Sequence, residues 1–355
     1  MCIRDRCNGK GVLYIPTHEV AGFKLVPTNA LDCTVNGFKT DMGTAMKHIT
    51  ESNPKAKEFL EAYTRYSAIR TYLRTFIEGI ERGLDPNNFI HPQFMQCVTA
   101  TGRLSSRNPN FQNMPRGTTF PVRKAIVSRF HNGFILEGDY RQLEFRVAGF
   151  LSKDKQLYRD VENNVDVHQY TADTMGVTRQ EAKAHTFKPL YGGVLGTPKE
   201  MRYYEAFKHK YWQVTNWHDK LQKEAVDTKK IKLPSGREYA FPEARYTQYG
   251  NVTNATAIKN YPVQGFATAD LLPLALVNLS AIMKKRNMKS VICNTVHDSI
   301  ILDVHPEERV QCIDVLRMSM LSIKDECNSR YNINYDMPVG IELKMGKNWL
   351  ETKEI

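Results

Sequence analysis

The chain has 355 residues, 41% of them hydrophobic, enough to bury a substantial core across about two or three domains. Lys and Arg number 49 against 38 Asp and Glu, and the net charge of +11 attracts polyanions, nucleic acid above all. No run of 18 or more apolar residues and no charged-then-apolar leader is evident, and no CxxC pair occurs among the seven cysteines (2, 7, 33, 97, 293, 312 and 327), so a soluble, cytoplasmic protein with reduced thiols and no membrane partner is expected.

The opening "MCIRDR" has no structural logic and reads like adapter-derived sequence, so residues 1–8 are set aside. Residues 9–50 read as irregular, with turn signals at "VPTNA" and "VNGF". From 54 to 82 one apolar stripe runs through Phe59, Ala62, Tyr66, Ile69, Leu73, Phe76 and Ile80, which predicts a helix. Lys55, Lys57, Arg65, Arg70 and Arg74 lie off the stripe, on a face either solvated or tracking phosphates. "GLDPNN" ends the helix, and 89–117 is polar and Arg/Asn-rich. A strand is expected over 133–140, then an amphipathic helix burying Leu143, Val147, Phe150 and Leu151. Residues 155–230 read as mostly helical, 230–242 as a hairpin around "PSG", 265–286 as a helix, and 290–304 as a hairpin turning at "HD". A helix over 306–328 and a strand near 338–345 complete an α+β layout.

Four clusters carry chemistry. Asp139 and Asp298 fall where strands run out among apolar neighbours, a costly place for an unpaired carboxylate. Each can be a turn residue capping its own backbone, or the two can hold Mg²⁺, which favours one or two carboxylates plus water and phosphate oxygens. In "TRQEAKAHTFKPLYGG", Arg179, Lys183, Phe187 and Tyr191 are spaced four apart. On one helix they form either an ordinary surface face, or two cations for a triphosphate followed by an aromatic pair for a base and sugar. "TATGRLSSRNPNFQNMP" (99–115) and "KNYPVQGFATAD" (259–270) are rich in Arg, Asn and Gln.

In order and spacing, "TGRLSSRNPNFQNMP", "GDYRQLEFRV", "RQEAKAHTFKPLYGG", "NYPVQGFATAD", "VHDS" and the closing "GKNW" resemble the motif set of family A DNA polymerases, from about residue 55 to the end. "AKAHTFKPLYGG" looks phage-like. The resemblance implies a right-hand polymerase: a partial helical thumb (9–88), an antiparallel-sheet palm (89–150 and 259–355) and helical fingers (151–258). It implies two Mg²⁺ held by Asp139, Asp298 and the Tyr140 carbonyl. Arg179, Lys183 and His168 would meet the nucleotide phosphates, with Lys183 also a proton donor. Phe187, Tyr191, Gln142 and Glu144 would complete the dNTP site. Arg103, Asn110, Gln112, Asn260, Gln264 and His297 would touch primer–template DNA through minor-groove acceptors common to every base pair. Replication accessory proteins are further expected partners, in phage or viral replication.

Three departures stand out. Ser299 follows Asp298 where these DNA polymerases usually carry Glu, as in the "HDS" of single-subunit phage-type RNA polymerases. Pro189 lies inside the expected fingers helix and should kink its last turn. The stretch between His168 and Arg179 is short, consistent with trimmed fingers, and no "DxE" exonuclease motif is evident. Glu144, at the steric-gate position against a ribose 2′-OH, and Phe187 both favour DNA synthesis over the rival RNA polymerase. A non-catalytic DNA-binding remnant is the third reading.

Overall fold

The computed structural model describes residues 33–34, 37–38, 54–192 and 196–355. Residues 1–8, set aside above, and most of 9–50 lie outside the described residues. The chain forms two compact units, Met1–Arg82 and Gly83–Ile355.

In the first unit β1 (Cys33–Thr34) pairs antiparallel with β2 (Gly37–Phe38). Helix α1 (Pro54–Thr71) continues through a π-helical stretch, Tyr72–Ile77, to Gly83. The helix is as expected, but its apolar stripe is not a buried face. Phe59, Tyr66 and Leu73 are 51%, 58% and 50% exposed, whereas Leu60, off the stripe, is 4% exposed. A π turn inserts an extra residue into the helical repeat, so the stripe counted through Leu73, Phe76 and Ile80 does not continue the face begun at Phe59.

The second unit is organised on a five-stranded antiparallel sheet, ordered β11 (Lys353–Glu354), β10 (Ile341–Gly346), β5 (Phe134–Tyr140), β9 (Ser299–Val304), β8 (Val291–Val296). Two-residue alternation gives β5 two distinct faces. Leu136, Gly138 and Tyr140 face α10 (Arg309–Leu321): a Cβ on Gly138 would lie 2.5 Å from the Met320 sulfur, and the Tyr140 hydroxyl donates to the Met320 carbonyl at 2.8 Å. Glu137 and Asp139 share the opposite face. Asp139 stands between Ser299 of β9 and Glu342 of β10.

Around the sheet lie α2 (Leu143–Ser152), α3 (Lys155–Glu162), α4 (Val167–Met175), α5 (Arg179–Ala182), α6 (Pro198–Lys210), α7 (Trp212–Thr228), α8 (Ala255–Gly265), α9 (Leu272–Lys285) and α11 (Ile323–Tyr331). α2 opens on Gln142 in the left-handed region and buries Leu143, Val147 and Phe150 as expected. The hairpin β6 (Lys230–Lys232) and β7 (Glu238–Ala240) turns at Gly236, and β8–β9 turns at His297–Asp298. The expected helix at 306–328 is interrupted at Ser322. A small pair, β3 (Gln93–Met95) with β4 (Ser105–Arg107), was not apparent in the polar 89–117 stretch.

The expected 265–286 helix is the end of a longer one, continuous from Ala255 to Lys285 through a π segment at Phe266–Leu271. By length and by the mean hydropathy of 1.6 over an 18-residue window it could cross a membrane, although, as expected from the sequence, no uninterrupted run of 18 apolar residues occurs in it. Phe266, Ala267, Leu271, Ala275 and Leu279 are fully buried in this unit, the signature of a core helix.

Candidate active site

β5 ends at Asp139–Tyr140 and β8 turns tightly into β9 at His297–Asp298, so sheet pairing brings together two carboxylates far apart in sequence. The Tyr140 amide donates to the Asp298 carbonyl at 3.2 Å. His297 has φ 55 and Gln142 φ 53, left-handed conformations that cost a non-glycine residue about 1 kcal/mol. The first turns the chain back at Asp298, and the second turns it from the Asp139 strand into the Glu144 helix. Ser299 is fully buried, its hydroxyl donating to the Val296 carbonyl at 3.0 Å across the turn. It therefore closes the hairpin.

Burial is the main cause of the electrostatics. It raises the Asp139 carboxyl against the opposing pull of Arg116. Asp298 is pushed up to about 7, first by burial and then by Asp139. Two partly buried carboxylates, one raising the pKa of the other, are the condition a divalent cation relieves. Among the described residues no group of three or more His, Cys, Asp or Glu could hold a metal ion, so a protein-only cage is absent. A pair of carboxylates whose remaining ligands are water and phosphate oxygens fits Mg²⁺.

Beside Asp298 lies a cleft of about 330 Å³ lined by Arg103, Gln142, Glu144, Phe187, Tyr191, Gln264 and His297 among others. At its centre Glu144 accepts from Arg103 through one carboxylate oxygen and from the Tyr191 hydroxyl through the other. Burial raises the Glu144 carboxyl, with Arg103 opposing. The Arg103 Nε donates to Thr268 Oγ1 at 3.0 Å, and Thr268 in turn donates to the Gln264 carbonyl at 2.7 Å. Loop, α2, α8 and the Tyr191 turn are thus joined by one polar network. His297, lowered by burial and then by Arg103, sits on its rim.

The continuous helix expected across 178–191 does not form. α5 spans only Arg179–Ala182, turns follow, and a 3₁₀ turn covers Lys188–Tyr191 with Pro189 in its first turn. Pro189 has no amide proton to donate to His185, and the Thr186 hydroxyl competes for the Ala182 carbonyl at 3.0 Å. The four residues therefore do not share one face. Arg179 pairs with Asp166 at 2.7 Å and lines a separate cleft of about 200 Å³ with Arg141, Gln142 and Arg146. Lys183 is exposed, close enough to lower the pKa of His168, though burial is the larger cause. His168 bonds Thr186 at 2.9 Å and packs its ring on Phe187 at 5.3 Å, and Phe187 packs on Phe145 at 5.8 Å.

The residues expected at DNA divide. Gln112 donates to the Thr295 carbonyl at 3.3 Å and lines, with Arg103 and His297, a small recess behind the cleft. Asn110 instead caps a short 3₁₀ turn, accepting from the Gln112 and Asn113 amides. The Asn260 side-chain oxygen is buried without a partner, one turn before Gln264. Asp139 borders a third cleft, of about 130 Å³, with Arg116, Arg123, Glu137, Glu342 and Lys344.

Sequence reasoning missed four residues. Glu137 had a signal, two positions before Asp139 on one strand face. Thr268 lies one turn beyond Gln264. Arg116 and Asp166 lie in loops that no periodicity marks.

A sheet carrying paired carboxylates, flanked by helices that bring cations and aromatics to a cleft, defines the class as a right-hand polymerase. The solved polymerase domain of Pol1 from M. smegmatis, in complex with DNA primer–template and dNTP, has this fold: TM-score 0.79, 22% identity, 94% of this chain and 59% of that one covered. The chain belongs to DNA polymerase family A, whose sequence model matches residues 28–351. It is 30% identical over 345 residues to DNA polymerase I of Lactococcus lactis subsp. lactis, covering 90% of this chain and 37% of that protein. It is 30% identical over 342 residues to the thermostable DNA polymerase I of Thermus aquaticus, covering 89% and 39%. The chain thus spans well under half of these relatives.

Proposed function

We propose that this chain carries out template-directed DNA synthesis, adding dNTPs to a primer 3′-hydroxyl by two-metal-ion phosphoryl transfer. The reading rests on the pairing of Asp139 and Asp298 beside the Arg103–Glu144–Tyr191 network. Residues 89–150 and 259–355 serve as palm, 151–258 as fingers and 9–88, with the helix from Pro54 to Gly83, as part of a thumb. Sheet pairing of β5 with β9 and β10 supports the two-part palm.

Asp139 and Asp298, with the Tyr140 carbonyl, would hold two Mg²⁺, whose chemistry there would be to lower the pKa of the primer hydroxyl and neutralise charge on the triphosphate and pyrophosphate. Arg179, on leaving Asp166, and Lys183 bind the incoming phosphates, and Lys183 supplies a proton to the departing pyrophosphate. Phe187, held by Phe145 and His168, packs against the sugar. Glu144 excludes a 2′-hydroxyl, its carboxylate fixed from two sides. Arg103 and Gln264 test base-pair geometry in the minor groove without reading sequence. Gln112 and His297 support the primer end. Asn260, with an unpartnered buried oxygen, and Asn110, through its side-chain amide nitrogen, make the remaining contacts. The relatives named above are bacterial, and service in phage replication with accessory proteins rests on the wording of 182–193 alone.

Primer extension with all four dNTPs against all four rNTPs tests this reading. Selective dNTP incorporation is expected. Equal use of rNTPs would favour an RNA polymerase, which Ser299 alone suggests. Salt-sensitive primer–template binding without extension under any divalent metal would favour a binding remnant.

A further inference from the structure

Arg116 lies 3.7 Å from Glu137 and 3.7 Å from Asp139, a single guanidinium spanning both carboxylates of one strand face. Glu137 is 7% exposed, a carboxylate that such burial keeps only beside a counter-charge. The other cations bordering this cleft act on these carboxylates only at longer range, and their hydrogen bonds and ion pairs lie elsewhere. Arg123 donates twice to the Met114 carbonyl, at 3.2 and 2.8 Å, and lies over the Trp349 ring. Lys344, opposite Glu137 in register, is paired with Glu342 at 2.5 Å. Arg116 is thus the cation common to Glu137 and Asp139, and by occupying Asp139 it competes with any divalent ion there.

Resting on the assignment of Asp139 as a metal ligand, we propose that Glu137 is a positioning residue for Arg116. It retains the guanidinium when Asp139 exchanges that internal counter-charge for a divalent cation. Without Glu137, Arg116 has only Asp139 to pair with, and the ion meets a stronger competitor. Without Arg116, Asp139 is open, and Glu137 has nothing left to position.

Mn²⁺ binding to the full chain, followed by electron paramagnetic resonance without DNA or nucleotide, tests this in a double-mutant cycle. R116Q should tighten Mn²⁺ about two- to fivefold, as expected for a partly screened ion pair, and E137Q should weaken it by a similar factor. In the R116Q background E137Q should change nothing. Equal weakening by E137Q in both backgrounds would make Glu137 a direct charge on the ion and overturn the proposal, as would an R116Q value equal to wild type. D139A separates the two levels. If it binds Mn²⁺ like wild type, the metal assignment fails and this inference with it. If it weakens binding while R116Q changes nothing, only this inference fails. Should E137Q not fold, R116Q at a 59%-exposed side chain carries the test, with R116K restoring the wild-type value.

Discussion

Asp298→Asn in the metal-free protein measures the cost of ionising a carboxylate in the β8–β9 turn. The folded pKa of Asp298 is about 7 against an ordinary 3.8, with burial the first cause and Asp139 the second. That is roughly a thousandfold change in proton affinity, an upper bound of about 4 kcal/mol, and sharing with Asp139 makes about 2–4 kcal/mol reasonable. The sign follows from which state holds the proton. Folded Asp298 keeps a proton that the unfolded chain releases, so its contribution is full below about pH 4 and is lost as pH rises through about 7. An amide mimics the neutral acid and has no such loss. For a unit the size of Gly83–Ile355, each kcal/mol moves Tm by about 2 °C. Calorimetry in EDTA should find the variant matching wild type at pH 4 and melting about 4–7 °C higher at pH 8. A difference that does not depend on pH would refute the reasoning, because the turn would not then be paying for a charge.

Glu144→Ala removes the acceptor shared by Arg103 and Tyr191, and the dNTP-over-rNTP preference in single-nucleotide kcat/KM should fall at least tenfold. Asp166→Asn keeps an oxygen for the His168 and Gln169 amides while discharging the partner of Arg179, so the KM for dNTP should fall by up to about fivefold with α4 intact by circular dichroism. Gly265→Ala would drive a Cβ to 1.7 Å from the Tyr239 hydroxyl and 3.0 Å from the Thr101 carbonyl, and urea unfolding should show a loss of about 1–3 kcal/mol or more.

Where local pattern and tertiary packing agree, the architecture is legible in the chain: the β5 run, the apolar face of α2, the two hairpins and their turn residues all form as read. The nearness of Asp139 and Asp298 was legible because strand ends among apolar residues are poor places for charge. The failures have common physical causes. Pro189 announced a kink in the last turn of the 178–191 segment, but the four-residue spacing did not show that the helix would already end at Ala182. The α1 stripe was counted across a π turn, which changes the period. The capping role of Asn110, whose side-chain oxygen accepts from the local backbone, was not read from its composition. Arg116 meets Asp139 only through the path of a loop, a contact that no spacing along the chain encodes.

The central claim is tested most directly by primer extension with Mg²⁺ for wild type, Asp139→Ala and Asp298→Ala. Each carboxylate is assigned several kcal/mol of charge stabilisation, so each variant should lose about a thousandfold or more in extension rate while still binding primer–template. A variant of either residue that extends primers at the wild-type rate would contradict the two-metal account.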